Sequence, residues 1–248
     1  MPILNLTPFG FNFEVELHGR IERQWAGGTG LVFVFDEWHD DQDMIRDNLF
    51  DSCMLIDAGI VACVGVEDRI HAPNDLSPAQ IKQHSLRLFE ECGTDEAVIA
   101  NLRKTKPYRF RFGRTLSFLR PHLPVRCVED PDWHVKAYRM ENRFTDFHSG
   151  IGNQRERDEF GQRWPNDPVQ CEREKRFVEN FFDFWAAVGN KPGAAAILNT
   201  GSAHSQRCAD RIRDAGTSFI QVSQPKPQAH LSESATLLPI YLQHSHRN

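Results

Sequence analysis

Two short apolar runs, separated by an amphipathic helical pattern, constrain the fold of this chain more than any other feature. Leu31 to Phe35 and Ile60 to Val66 are continuous apolar stretches, as in strands that are covered on both faces. Between them, apolar residues recur at helical spacing; Asp40 or Asp41 can cap this helix, and Gly59 can end it. The pattern therefore predicts a βαβ unit with parallel strands and a right-handed crossover.

The rest of the chain extends this pattern. Helices are expected at Ser77 to Cys92 and at Glu172 to Val188, with a short strand between them at Val125 to Val128. A second strand, helix and strand unit is then expected at Ala194 to Asn199, Ser205 to Ala215 and Ser218 to Val222. Alternation from Phe9 to Leu17 and the LLPIYL run with Pro239 predict an antiparallel or edge strand near each terminus. We therefore predict a single α/β domain over residues 1–248, with a mainly parallel central sheet flanked by helices.

The segment 132–168 is polar and aromatic, and glycines and prolines interrupt any regular period within it. We interpret it as a long loop or lid-like insertion. Its aromatic side chains suit a loop that covers a substrate, but they equally suit a small separate core or a dimer contact.

Charge and cysteine content exclude few functions. The chain of 248 residues has a formal net charge of −5, which gives no general attraction to nucleic acid or to anionic membranes. Its six cysteines form no Cys-x-x-Cys pair of the kind found in zinc knuckles and thioredoxin-type sites. Neither a signal peptide nor an apolar stretch of about 18 residues is recognisable, so we expect a cytoplasmic protein without a membrane span.

A basic segment, Arg103 to Arg126, contains eight lysines and arginines and no acidic residue. Its interleaved aromatic residues would suit a nucleic-acid strand, which is bound through phosphate contacts and stacking. An amphipathic surface element that balances an acidic neighbour is the commoner explanation, so we consider nucleic-acid binding unlikely. The same charge would also attract an anionic substrate.

Histidines and acidic residues follow four of the predicted strands. Glu37 and His39 come after the first, Glu67 after the second, Glu129 with Asp130 after the third, and His204 after the fourth. Ligands bind outside the carboxyl ends of open parallel sheets, so these side chains are expected to meet at one edge.

Such a cluster supports two chemistries. His39, Glu67 and His204 can hold a divalent metal with an open position for water, or an imidazole can take a proton from water while a carboxylate orients the ring. Each residue also has a structural explanation, because a single histidine after a strand is usually a hydrogen-bonded loop residue. Likewise, Glu67 and Glu129 can cap helices or pair with arginines.

Several motifs together resemble a broad superfamily that includes the erythromycin esterases, the ChaN-like haem-binding proteins and the TraB/Tiki metalloprotease-like proteins. They are FVFDEWHDD, the VGVE strand end, CEREKRFVENFF and LNTGSAH, and they span roughly residues 31 to 225. By this resemblance the family positions fall on Glu37, His39, Glu67, Arg173, Gly201 and His204. Asp36 departs from the pattern, since it replaces the glycine of the first motif.

The resemblance implies a parallel-sheet α/β core and covers esterase, protease-like and haem-binding members. From the cluster at the strand ends, our first hypothesis is a hydrolase that cleaves an ester or amide bond of a small molecule or peptide. His39 or Glu37 would activate water, and Glu67 would orient the imidazole or bind a metal. His204 would be a second metal ligand or stabilise the transition state. Substrate-binding roles are expected for Arg173, Glu129 and Asp130. The alternative is a ChaN-like carrier of haem or another cofactor with a His or Tyr axial ligand, although the amino terminus shows no export signal.

Overall fold

A six-stranded sheet forms the centre of the molecule, and helices cover both of its faces. The computed structural model describes residues 3–12, 14–39, 41–67, 77–105, 110–146, 163, 166–188 and 194–224. The strand order is β3-β8-β4-β7-β5-β6; five strands run parallel, and β3 pairs antiparallel with β8 at one side. The predicted fold class, an α/β protein with a mainly parallel sheet, is therefore confirmed.

The strands have the following bounds: β1 Ile3–Asn5, β2 Glu14–Glu16, β3 Arg20–Trp25, β4 Leu31–Glu37, β5 Val61–Val66, β6 Val125–Cys127, β7 Ala195–Gly201 and β8 Ser218–Ser223. The helices are α1 Gln42–Asp57, α2 Pro78–Cys92, α3 Asp95–Thr105, α4 Phe112–Leu119, α5 Pro131–Asp146, α6 Pro168–Ala187 and α7 Ser202–Asp214. β1 and β2 form a separate antiparallel pair.

Strand β4 divides its side chains between two hydrophobic cores, because successive residues of a strand point to opposite faces. Leu31, Phe33 and Phe35 belong to the core that includes residues of α1, α2 and α4. Val32 and Val34 belong to the other core, which includes residues of α6 and α7. Burial on both faces explains why this strand is continuously apolar.

Local capping signals fix the first two helices where the sequence predicts them. The side chain of Asp41 accepts hydrogen bonds from the first turn of α1, and Gly59 follows that helix with a positive φ of 75°. Ser77 and Gln80 form a capping box at the start of α2, and Gly93 ends it in the left-handed conformation.

The sequence predictions missed some elements and misplaced the bounds of others. The antiparallel strand expected within residues 9–17 is shorter than predicted and consists of β2, Glu14–Glu16, while Phe9 ends a 3₁₀ turn; the strand β3 was not predicted. The basic segment contains the end of α3 and the whole of α4. The prediction of a long loop over residues 132–168 is wrong for its first part, because Pro131–Asp146 forms the helix α5.

The remainder of the expected lid-like insertion, apart from residues 163 and 166–168, lies outside the described residues, as does the strand expected around Pro239. None of the helices in the described part of the chain combines the length and apolar character needed to cross a membrane.

Candidate functional site

The carboxyl ends of four parallel strands bring the candidate site together. Glu37 ends β4, Glu67 follows β5, Glu129 lies just beyond β6, and Gly201 joins β7 to α7, which carries His204. These strands are neighbours in the sheet. We call this side of the sheet the carboxyl edge.

His39 is the most accessible of the charged residues that meet here, with 38% of its side chain exposed. Its Nδ1 donates to Glu37 Oε1 over 3.2 Å, and its Nε2 lies 3.7 Å from Glu67 Oε2. Burial by itself lowers the pKa of His39, but the contacts with Glu37 and Glu67 more than offset it and raise the pKa to about 10. The imidazole is therefore protonated at neutral pH.

Glu37 is placed to hold this ring. It is buried beneath the carboxyl edge, where its Oε2 accepts a hydrogen bond from Asn199 Nδ2 at 3.2 Å. Arg111 Nη1 fixes the same loop from outside by donating to the carbonyl oxygen of His39 over 2.7 Å. His39 is thus anchored through both its side chain and its backbone.

Glu67 joins the two histidines. Its Oε2 accepts hydrogen bonds from the backbone N–H of Gly201 at 2.5 Å and from Thr200 Oγ1 at 3.1 Å. Its Oε1 accepts from Arg173 Nη2 at 2.7 Å and lies 3.8 Å from His204 Nε2.

These surroundings control the charge of Glu67. Burial alone raises the pKa of this carboxyl, but its contacts with His39, His204 and Arg173 hold it well below its usual value. Glu67 is a carboxylate at neutral pH.

Gly201 approaches the site so closely that a side chain would interfere. A Cβ on this residue would lie 3.1 Å from both Glu67 Oε2 and His39 Nε2. Glycine is therefore the residue that lets β7 pass directly beneath the two groups.

Arg173, near the start of α6, forms a clamp between carboxylates. Its Nε and Nη2 bind Glu129 in a bidentate pair at 3.0 and 2.6 Å, and Nη2 also donates to Glu67 Oε1. Its Nη1 lies 3.2 Å from His204 Nε2. The guanidinium predicted to hold an anionic substrate group is thus bound to groups of the protein.

This contact defines the tautomer of His204. A guanidinium N–H only donates, so His204 Nε2 accepts and Nδ1 carries the hydrogen. Nδ1 donates to Glu174 Oε1 over 2.8 Å, and Glu174 also pairs with Arg207 one turn along α7. Burial raises the pKa of the Glu174 carboxyl, but its hydrogen bonds to His204 and Arg207 lower it below the usual value.

Two acidic residues that the sequence analysis singled out, Asp130 and Asp36, make hydrogen bonds that hold the fold together. Asp130 caps α5, since its Oδ1 accepts from the backbone N–H of Asp132 at 3.0 Å and of Trp133 at 3.1 Å. Asp36, at the position where the resemblance would place a glycine, accepts a hydrogen bond from Ser223 Oγ at 2.5 Å. The side chain of Asp36 is therefore used to join β4 to the end of β8.

Sequence reasoning missed Glu174, although the sequence contains a signal for it. Arg173 and Glu174 precede Phe177 and Phe181 at helical spacing and are buried on the same stripe of α6. Charged residues in phase with the apolar face of a helix must find partners inside the protein. His134 was also missed; its Nδ1 lies 3.7 Å from Glu129 Oε2.

The predicted metal ligands can be compared with this arrangement. Within the described residues, no group of three His, Cys, Asp or Glu side chains is arranged to hold a metal ion. The lone pair of His204 Nε2 faces the Arg173 guanidinium, so a metal here would have to displace Arg173. The residues as arranged do not fit a metal, and metal binding stays a prediction.

Haem binding stays a prediction too. The small pocket at the site is lined largely by charged and polar side chains, whereas haem needs an apolar cleft. The lining residues are Glu67, Glu129, Arg173, Glu174, Phe177, Thr200, His204 and Cys208.

Several side chains of the basic segment contact other parts of the chain. Arg120 pairs with Asp57 and Asp95, and Arg103 pairs with Asp43. Arg126 lies over the ring of Phe184 in a cation–π contact, 5.8 Å from its centroid. These contacts agree with the interpretation that this segment balances acidic neighbours.

Comparison with known proteins gives little further guidance. No protein-family model matches the chain, and no curated protein matches it. Among solved structures it is similar to one described as "The structure of the type III effector HopBA1", with a TM-score of 0.31 and 14% identity over 75% of this chain and 76% of that chain. A likeness of this size assigns neither a family nor an activity, so the resemblance to the esterase, ChaN-like and TraB/Tiki superfamily stays a prediction.

Proposed function

We propose that this protein is a hydrolase that cleaves an ester or amide bond at the carboxyl edge, with His39 as its proton donor. One observation carries the proposal. The partly exposed imidazole of His39 has a buried carboxylate opposite each of its nitrogens, Glu37 at Nδ1 and Glu67 at Nε2. A histidine held in this way is fixed in orientation and positively charged, as a general acid requires.

The charge of His39 favours an acid role over the water-activating role that the sequence suggests. A general base must be unprotonated at the working pH, and the pKa of about 10 keeps His39 protonated. Its Nε2–H would donate to the leaving oxygen or nitrogen as the bond to the acyl carbon breaks.

The attacking water also has to lose a proton. Glu67 Oε2 is 3.7 Å from His39 Nε2, so a carboxylate acceptor lies beside the donor. In the proposed cycle a water oxygen bonds to the acyl carbon, Glu67 takes its proton, and His39 gives a proton to the leaving group. The proton then passes from Glu67 to His39, which restores both groups.

A panel of p-nitrophenyl esters and peptide p-nitroanilides tests this proposal. We expect His39→Gln to lower kcat/KM by about 10²–10⁴-fold, the range typical of a lost general acid. His122→Gln is the matched control, because His122 is exposed and precedes β6 at the opposite end of the strands. Turnover that survives in His39→Gln would contradict the role of His39. Absence of turnover across the whole panel in the unaltered protein would contradict the proposed reaction.

A further inference from the structure

We propose that the Arg173 guanidinium fills the position that a divalent metal would otherwise occupy, so that the chain carries a permanent cation at this site. The inference does not depend on the proposed reaction. It rests on the three protein groups that converge on one guanidinium.

The donors around Arg173 are of the types that also bind metals, although with Arg173 in place they are not arranged to hold one. Glu67 Oε1 and Glu129 Oε2 lie 2.7 and 2.6 Å from the same Nη2 atom, and His204 Nε2 lies 3.2 Å from Nη1. Carboxylate oxygens and imidazole nitrogens are both ligands of zinc and related metals. His204 Nε2 and Glu67 Oε1 are 3.8 Å apart, a separation that one small ion between them can bridge.

The groups behind these donors also match a metal site. Histidines that bind metals usually donate their other ring N–H to a carboxylate, and His204 donates Nδ1–H to Glu174. Glu67 is held by Gly201 and Thr200, so its position does not depend on Arg173 alone. The ligands are therefore oriented from behind, and the guanidinium occupies the space in front of them.

The charge of the surrounding groups explains why a cation is needed at this position. Glu67, Glu129 and Arg173 are all largely buried, and two adjacent buried carboxylates require a cation. The guanidinium binds Glu129 with two parallel hydrogen bonds and leaves Nη1 for His204, a geometry that an ammonium group does not reproduce. Removing the guanidinium would leave a cavity with two negative charges and one imidazole lone pair.

Cobalt titration tests the inference, because Co²⁺ reports coordination through its visible absorption without any catalytic assay. The unaltered protein and Arg173→Ala are each titrated with Co²⁺ after treatment with chelator, and the bound metal is counted by elemental analysis after dialysis. We expect Arg173→Ala to bind close to one equivalent and the unaltered protein to bind almost none. Adding His204→Ala to Arg173→Ala should abolish the new binding.

Arg176→Ala is the matched control, since Arg176 lies on the same helix in exposed ion pairs with Glu172 and Glu179. It should bind no more Co²⁺ than the unaltered protein. Arg173→Gln provides a second neutral variant if Arg173→Ala does not fold. A stoichiometric, His204-dependent metal in the unaltered protein would overturn the inference, and so would folded Arg173 variants that bind no Co²⁺. Neither result depends on whether any ester is hydrolysed.

Discussion

At the scale of single residues, the charge of His39 is decided by its neighbours rather than by its exposure. Glu37 and Glu67 each face one ring nitrogen, and together they raise the pKa of the imidazole to about 10 against the lowering effect of burial. The proposed role of this residue as a proton donor follows from that charge, and the charge can be measured directly.

The first prediction concerns the pH dependence of the proposed hydrolysis. Because His39 must be protonated to donate, kcat/KM should stay level through neutral pH and fall as the pH rises through about 10. A histidine that acts as a base would give the opposite slope, with activity rising as the imidazole loses its proton. Initial rates between pH 6 and 11, corrected for spontaneous hydrolysis, distinguish the two cases.

NMR titration of the His39 ring nitrogens gives a readout without a substrate. We expect Glu37→Gln to lower the pKa of His39, because one of the two carboxylates that hold the proton is removed. Because folding raises the pKa of His39, its protonation stabilises the folded protein. This stabilisation is fully present below the unfolded pKa of 6.5 and is lost as the pH rises through about 10. An unchanged His39 titration in Glu37→Gln would contradict this account.

At the scale of secondary-structure elements, α6 and α7 are joined by charge as well as by apolar packing. Glu174 on α6 is only 2% exposed and binds both His204 and Arg207 on α7. It therefore connects the two helices and fixes the tautomer of the histidine nearest to Arg173.

Truncating Glu174 is therefore expected to destabilise the protein and disturb His204. We expect Glu174→Ala to lower the free energy of unfolding by about 1–3 kcal/mol, because it leaves buried donors without an acceptor. Glu179→Ala, on the exposed side of the same helix, should change it by less than about 0.5 kcal/mol. Urea denaturation at pH 7 measures both. Equal midpoints for the two variants would show that the buried contact contributes nothing.

Some helices and strands could be predicted from the sequence and others could not. The positions of β4, α1 and β5 could be predicted because both strands are buried on two faces and the helix has clear caps. Helix α5 was missed although Trp133, Ala137, Met140 and Phe144 follow helical spacing. The glycines and prolines that suggested a loop all lie beyond its end, so the error came from treating 132–168 as one segment.

For the site, the sequence could predict the edge of the sheet but not the pairings. Parallel strands bring Glu37, Glu67 and His204 to one edge whatever their neighbours are. Which carboxylate binds Arg173, and which orients His204, depends on the angle at which α6 crosses the sheet. Such tertiary geometry leaves no local pattern in a single sequence.

At the scale of the whole molecule, a second buried polar network joins segments that are distant in the chain. Asp51 of α1 is fully buried and accepts hydrogen bonds from the backbone N–H groups of His18 and Gly19 and from the side chain of Gln224. It thereby connects α1 to the start of β3 and to the end of β8. These are the segments that close the antiparallel side of the sheet.

The last prediction separates this structural carboxylate from those of the candidate site. Asp51→Ala should lower the free energy of unfolding by about 3 kcal/mol, since buried backbone N–H groups lose their acceptor. Asp43→Ala, an exposed residue of the same helix, should change it by less than about 1 kcal/mol. Under conditions in which Asp51→Ala remains folded, its kcat/KM in the proposed hydrolysis should match that of the unaltered protein, because Asp51 contacts neither His39 nor Glu67. A fully stable Asp51→Ala protein that had lost turnover would instead assign Asp51 to the chemistry, so stability and activity must be measured on the same preparation.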